Sequence, residues 1–152
     1  MQPQATLITL AAFIKRNAPG FRRASRQELL AFLGWYWRDG RVGIIRDKGR
    51  IVGAALARCM NHPGQAADPY YHDETGRLIW IQDIVSHHPL GIPLLLEHAR
   101  QRFGPREAFA GRVFHRNGEL RMLPFRVVER LSQNTGDSHH GFTFTSSATA
   151  AA

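Results

Sequence analysis

The chain has 152 residues, the size of one domain, which excludes a multi-domain arrangement. Its 20 lysines and arginines outnumber 12 acidic residues, and the net charge of +8 favours an anionic partner: nucleic acid, a membrane surface, a nucleotide or an acidic carrier protein. A single cysteine excludes an internal disulfide, and the apolar stretch over residues 5–14 is too short for a bilayer and lacks signal-peptide flanks. The sequence therefore predicts a cytoplasmic protein.

The first predicted element is a helix over residues 26–37. Pro19 and Gly20 break the segment before it, and Ser25 with Glu28 forms a capping box. The following sequence, LLAFLGWYW, carries apolar residues at helical spacing. Its aromatic end, with two arginines nearby, is typical of a helix packed on a sheet, although it also suits a nucleic-acid surface.

A β-hairpin, a loop and a central strand are predicted next. The runs RVGIIRD and RIVGAALARCM flank Lys48 and Gly49, the pattern of an antiparallel hairpin. Residues 61–76 are polar, contain two prolines and two glycines, and indicate a long loop. The run RLIWIQDIVSH is rich in β-branched and aromatic residues and predicts a strand over residues 77–87.

A second helix is predicted over residues 92–103, the sequence IPLLLEHARQRF. Pro93 lies in its first turn, and Gly104 with Pro105 stops it. The positions expected to face a core are Leu94, Leu95, Ala99 and Phe103.

Two strands complete the predicted elements. AFAGRVFH predicts a strand over residues 108–115, and the turn Arg116-Asn117-Gly118 returns the chain through ELRMLPFRVV. Pro124 indicates a kink or a sheet edge in this last run.

The fold class that follows is α/β or α+β, with a single mixed, mostly antiparallel sheet flanked by helices. This domain is assigned to residues 1–131. Residues 132–152 are small and polar without an apolar pattern, and they predict a disordered tail.

The strand, loop and helix over residues 80–103 are the most informative segment. A helix that begins at the end of a central strand points free N–H groups and its positive dipole end into the crevice, where a phosphate fits. The loop over residues 87–91 has one glycine and matches neither glycine-rich phosphate motif, so an ordinary strand-to-helix turn is the alternative.

Asp83 is the first catalytic candidate, because a carboxylate in the apolar run WIQDIV can gain a pKa suited to proton transfer. A solvated face or an arginine salt bridge is the alternative for it. His87 and His88 lie just beyond the strand, and either can act as a base at neutral pH. Neighbouring strand residues point to opposite faces, so at most one histidine is expected to face the crevice.

Metal and thiol chemistry are disfavoured. The spacing of His62, His72 and Asp73 matches no zinc signature. Cys59 ends an apolar run, where a lone cysteine is usually a small buried hydrophobe, and no base stands beside it in the sequence.

Three segments carry a resemblance to a known family. RVGIIRDKGRIVGAALARCMN looks like its strand, turn and strand, and WIQDIV matches its Trp-Phe-Ile-Asp-Trp-Ile with Trp80 and Asp83 in register. LLLEHARQRFGPREAFAGRVFHRNGELRMLPF is similar in its helix pattern and in the pair Arg112-Val113. Over residues 41–125 the chain thus resembles the Gcn5-related N-acetyltransferase fold, and more closely the RTX toxin-activating lysine acyltransferases.

The resemblance implies transfer of an acyl group from acyl-carrier protein to a protein lysine, with a histidine near the N-terminus and an aspartate that matches Asp83. This chain has no histidine before His62, which leaves His87, His88 or Asp83 itself as the base. It also lacks the Gln/Arg-x-x-Gly-x-Gly/Ala loop of ordinary members of the fold.

The leading hypothesis is an acyltransferase that moves an acyl group from an acyl-carrier protein or coenzyme A thioester to an amine, with a protein lysine as the expected acceptor. No permanently bound cofactor or metal is expected, and a homodimer is compatible with the sequence. The donor is expected to contact Val85, Ser86, Leu90, Gly91, Ile92 and Arg112. The alternatives are a small-amine acceptor, or a non-catalytic module on the same fold that binds protein or nucleic acid.

Overall fold

In the part of the chain that the structure describes, one sheet carries helices on both faces. The computed structural model describes residues 3–114, 122–127, 130 and 142–146. The elements in these ranges are α1 Pro3–Asn17, α2 Arg26–Arg38, β1 Val42–Asp47, β2 Arg50–Met60, β3 Leu78–Ser86, α3 Gly91–Phe103, β4 Ala108–Ala110, β5 Leu123–Pro124 and β6 Phe142–Ser146. The strand order is β5-β4-β3-β2-β1-β6, and only β3 and β4 pair in parallel. The predicted mixed, mostly antiparallel sheet is confirmed.

One face of the sheet is covered by α1 and α2. The predicted helix is confirmed, since Ser25 Oγ accepts a hydrogen bond from the Glu28 N–H at 3.1 Å and Glu28 Oε2 accepts one from the Ser25 N–H at 3.0 Å. The sequence did not predict α1, whose apolar residues pack with Leu29 and Leu33 of α2. Across the described residues, no helix has the length and apolar character needed to cross a membrane.

The other face is covered by α3. Leu96, Ala99 and Phe103 pack against Ile79 and Ile81 of β3. All four predicted core positions of this helix are buried. The helix ends where predicted, because Gly104 adopts a φ of 79° that other residues rarely take.

The hairpin of β1 and β2 turns at the predicted dipeptide. Lys48 and Gly49 have φ values of 50° and 79°, and Asp47 pairs with Arg50 across the turn. Left-handed residues at both positions give a turn whose twist matches that of the strands.

The predicted strand over residues 108–115 is wrong for residues 111–114, and His115 lies outside the described residues. Gly111 turns the chain, and Arg112–Phe114 form a short 3-10 helix. A Cβ on Gly111 would lie 2.4 Å from the Ile81 carbonyl oxygen, so the turn passes directly against β3. The position therefore requires a residue without a side chain.

The return strand is only partly described. Of the run predicted after the turn, β5 pairs with β4 at the sheet edge, as expected from Pro124. The turn predicted at residues 116–118 lies outside the described residues.

The predicted tail contains a strand. Phe142–Ser146 pairs antiparallel with β1 over five residues, from Gly43 opposite Ser146 to Asp47 opposite Phe142. In the structure these five residues extend the sheet, because the outer edge of β1 offers unpaired backbone groups to any extended segment that reaches it. The other residues of the range 132–152 lie outside the described residues. The domain limit at residue 131 stays a prediction.

Candidate functional site

The sheet opens between β3 and β4. The two strands pair in parallel at three positions, ending with Trp80 opposite Ala110. Beyond Trp80, β3 continues for six residues to Ser86 without a described strand on that side. We name this gap the β3–β4 opening. Backbone groups along such an edge can hydrogen-bond an extended ligand as a strand would.

A β-bulge in β3 lies at the opening. Leu56 pairs with Asp83 and Ala57 with Ile81, which makes Gln82 an extra residue in β3. Side chains alternate along a regular strand, and one extra residue reverses the alternation beyond it. Asp83 consequently belongs to the α1–α2 face, as does Val85, which packs on the core of that face. Without the bulge it would point toward α3.

The Asp83 carboxyl group is poised for proton exchange. It is half-buried and forms no hydrogen bond or ion pair with a described residue. Burial raises its pKa to about 6, while the positive charge of Arg112 acts in the opposite direction. The predicted burial of this carboxylate is confirmed, and its pKa lies in the range useful for acid–base chemistry near neutral pH.

A buried arginine fixes the wall of the opening. The Arg58 guanidinium is fully enclosed and donates hydrogen bonds to the carbonyl oxygens of Ala66, Asp68 and Tyr71, at 3.2, 2.6 and 3.0 Å. It donates a further bond to Gln82 Oε1 at 3.0 Å. These bonds fasten the long loop to β2 and β3, so the loop predicted over residues 61–76 is held in one place beside the bulge.

Sequence reasoning missed Arg58 and Gln82. The signal for Arg58 was a cation inside the otherwise apolar run AALARCM, which could have been read as a buried group in need of acceptors. Gln82 had no distinguishing signal, because a bulge depends on how two strands pair.

The loop and the opening line a solvent-open cavity of about 400 Å³, here named the loop cavity. Its lining residues are Pro63, Gly64, Ala66, Ala67, Trp80, Gln82 and Arg112. Small-molecule sites in proteins have volumes of this order. The predicted donor contact Arg112 lies here, at the start of the 3-10 helix that follows Gly111.

The two candidate histidines lie away from Asp83. His87 Nε2 is 2.9 Å from Asn17 Oδ1, and its ring lies 5.2 Å from that of Phe13, so the side chain rests on α1. His88 Nδ1 accepts a hydrogen bond from the Leu90 N–H at 3.1 Å. Both follow the end of β3, and neither is hydrogen-bonded or ion-paired to Asp83.

The start of α3 is largely engaged by its own loop. The Leu90 N–H donates to His88 Nδ1 and the Gly91 N–H to the His88 carbonyl oxygen at 2.9 Å, while Pro93 has no N–H. Ser86 Oγ donates to the same His88 carbonyl oxygen at 2.7 Å. Ile92 is exposed. Contacts of these residues with a donor phosphate stay a prediction. The backbone nitrogens of Leu90, Gly91 and Pro93 are not available as donors to that phosphate.

Cys59 and His72 have structural surroundings. Cys59 is buried, as predicted, and burial raises the pKa of its thiol to about 12, which disfavours a thiolate. Its backbone N–H donates to His72 Nδ1 at 2.9 Å, and His72 Nε2 contacts Glu74. Within the described ranges no group of three or more His, Cys, Asp or Glu side chains is arranged to hold a metal ion.

The fold matches solved structures of the Gcn5-related N-acetyltransferase (GNAT) type. GphF, a GNAT-like decarboxylase in complex with isobutyryl-CoA, aligns with a TM-score of 0.54 and 26% identity over 72% of this chain. The chain spans 62% of the GphF chain. The loading GNATL domain of CurA from Lyngbya majuscula aligns with a TM-score of 0.54 and 15% identity, over 87% of this chain and 79% of that one.

These matches confirm the GNAT-like fold expected from the sequence. No protein-family model and no curated protein matches the sequence. Membership of the toxin-activating lysine acyltransferases stays a prediction.

Proposed function

We propose that the protein binds an acyl thioester in the β3–β4 opening and transfers the acyl group to an amine. The observation that carries this proposal is the parting of two parallel strands directly beside a bulge that holds Asp83. The unpaired edge of β3 suits the extended amide-bearing arm of coenzyme A or of an acyl-carrier protein. GphF, at 26% identity, binds isobutyryl-CoA, which supports a thioester donor.

The proposed reaction needs a proton acceptor and a polarised carbonyl. The amine nitrogen attacks the thioester carbon, a C–N bond forms, and the C–S bond breaks to release the thiol. The Asp83 carboxylate accepts the proton that the attacking nitrogen loses, and backbone N–H groups at the opening donate to the carbonyl oxygen. Since His87 and His88 are engaged elsewhere, Asp83 is the base in this proposal.

The acceptor in this proposal is a primary amine, and a lysine side chain of a protein substrate is the first case to test. The net charge of +8 suits either donor, because an acyl-carrier protein and the phosphates of coenzyme A are both anionic.

The test is acyl transfer from isobutyryl-CoA to a lysine peptide, followed by mass spectrometry. Asp83→Asn keeps the shape of the side chain and removes the base, so we expect the rate to fall about 100-fold or more. Asp47→Asn in the hairpin turn is the matched control and should keep the wild-type rate. Full activity in Asp83→Asn would contradict the assigned role.

A second candidate reaction is decarboxylation, favoured by the similarity to GphF, a GNAT-like decarboxylase, and by the Arg112 charge near Asp83. In it, an acyl thioester with a carboxylate on its α-carbon would lose CO₂ as the C–C bond breaks. The protonated form of Asp83 would then donate a proton to that carbon. Release of CO₂ from methylmalonyl-CoA without any amine would favour this reaction over acyl transfer.

A further inference from the structure

The orientation of the Gln82 amide is fixed by two donors. Gln82 Oε1 accepts hydrogen bonds from the Arg58 guanidinium at 3.0 Å and from the Trp80 indole Nε1 at 3.2 Å. Both partners can only donate, so the atom they share must be the amide oxygen. The Nε2 group is therefore the one left to donate.

This Nε2 group is open to the loop cavity. Gln82 lines the cavity, and its Nε2 forms no hydrogen bond with a described residue. Among the described residues it is also not one of the polar atoms that are enclosed by protein without a partner. The cavity thus has a fixed pair of amide N–H donors in its wall.

Arg112 supplies a second, charged donor to the same cavity. Its guanidinium forms no hydrogen bond or ion pair within the described residues, whereas Arg58, Arg102 and Arg106 are each held by several acceptors. The rest of the lining includes Pro63, Gly64, Ala66 and Ala67, which offer no charged side chain. An arginine beside an amide donor matches the two oxygens of a carboxylate.

We propose that the loop cavity binds a carboxylate carried by the acyl acceptor, held by Arg112 and Gln82. This inference rests on the proposed acyl transfer and names the class of acceptor: an amine that bears a carboxylate. Trp80 lines the cavity and pairs with Arg58, two residues from Leu56 of the α1–α2 core, so the cavity lies on the α1–α2 face. The helix α3, where the donor phosphate is expected, covers the opposite face. Donor and acceptor then approach Asp83 from opposite faces, which assigns the carboxylate to the acceptor.

The first experiment compares amines that differ only in a carboxylate or an amide. Isobutyryl-CoA is the donor, and the acceptors are 4-aminobutyrate against 4-aminobutanamide and a Glu-Lys peptide against a Gln-Lys peptide. We expect kcat/KM to be about tenfold higher for the acid member of at least one pair. Equal values in both pairs would overturn the proposal.

Two variants and a control locate the effect. Gln82→Glu keeps an acceptor for Arg58 and Trp80 but replaces the free donor with a carboxylate oxygen, and Arg112→Gln removes the charge. Each variant should abolish the preference for the acid. The control is Arg77→Gln, which removes an exposed ion pair with Glu107 just before β3 and should keep the preference. A preference that survives both cavity variants would contradict the assignment.

A binding measurement separates this inference from the proposed function. The ligand is 4-acetamidobutyrate, whose nitrogen is already acylated and cannot react, and we expect calorimetric titration to show that it binds the wild type. Neither Gln82→Glu nor Arg112→Gln should bind it. The corresponding uncharged amide, 4-acetamidobutanamide, should not bind the wild type. If the carboxylate binds but no acyl transfer is found, the carboxylate site in the loop cavity is supported and the proposed acyl transfer is contradicted. If instead methylmalonyl-CoA binds about tenfold more tightly than isobutyryl-CoA through Arg112, and acceptors show no preference, the carboxylate belongs to the acyl group and the proposal fails.

Discussion

Asp83 carries a negative charge that is unfavourable to bury. Its pKa is raised to about 6 by burial, above the ordinary value of 3.8, so the folded state binds its proton more tightly than the unfolded state. The folded state is favoured through this group below about pH 4, and that advantage is lost as the pH rises through 6.

Asp83→Asn should therefore stabilise the protein at alkaline pH. The neutral amide does not have to be charged inside the fold, so at pH 8 we expect a Tm higher than that of the wild type by a few degrees. At pH 4 the two Tm values should converge, because the wild-type carboxyl group is then mostly protonated. Thermal unfolding at both pH values measures this, and a variant less stable than the wild type at pH 8 would indicate a stabilising contact of the carboxylate.

Residues of the site differ in how far the sequence revealed them. The sequence indicates Asp83 because a charged carboxylate is unusual inside an apolar run, and this signal can be recognised without knowledge of the fold. His87 and His88 were chosen by closeness in the chain, but the chain leaves β3 at Ser86 and the next residues turn toward α1 and α3. Distance along the chain did not predict which side chains would meet.

At the scale of elements, the β3–β4 opening depends on a glycine. Gly111 stands where β4 ends, with the Ile81 carbonyl oxygen 2.4 Å from the position of a Cβ atom. A side chain at this position would have to push the turn away from β3. The atom in its way is a backbone oxygen, which cannot move aside as the end of a flexible side chain can.

Gly111→Ala should lower the free energy of unfolding by about 1–3 kcal/mol and weaken isobutyryl-CoA binding. The control is Gly34→Ala in α2, where a Cβ atom would meet nothing within 4 Å and alanine favours the helix by about 0.5–1 kcal/mol. Urea unfolding and calorimetric titration measure the two effects. If Gly111→Ala binds the thioester as the wild type does, the opening does not hold the donor.

The elements themselves followed closely from local pattern. The capping box set the start of α2, Gly104 set the end of α3, and the residues between the hairpin strands set their turn. The length of β4 did not follow, because AFAGRVFH is a good strand sequence, whereas the close approach of Gly111 to Ile81 beyond its end is a tertiary feature.

At the scale of the whole molecule, β6 closes one edge of the sheet. It comes from the segment expected to be disordered and pairs with β1 from Gly43 to Asp47, which is five of the six residues of that strand. A polar run of alternating Phe and Thr can complete an edge even though it cannot form a core alone.

A chain that ends at residue 131 should have a Tm several degrees below that of the full chain, because β1 loses its outer partner. A chain that ends at residue 147 keeps β6 and is expected to unfold at the temperature of the full chain. Differential scanning calorimetry of the three chains measures this. Equal Tm values for all three chains would indicate that residues 132–152 do not stabilise the domain.

The sequence by itself determined the class of fold, the order of most helices and strands, and Asp83 as the carboxylate to examine, because periodicity, caps and a misplaced charge are local properties. Only the tertiary structure decided which face Asp83 occupies, which side chains join it, and that a loop cavity lies beside it. Those features depend on one extra residue in the pairing of β2 with β3 and on where β4 leaves β3. Pairing register is a relation between segments distant in the chain, so no single run of residues contains it.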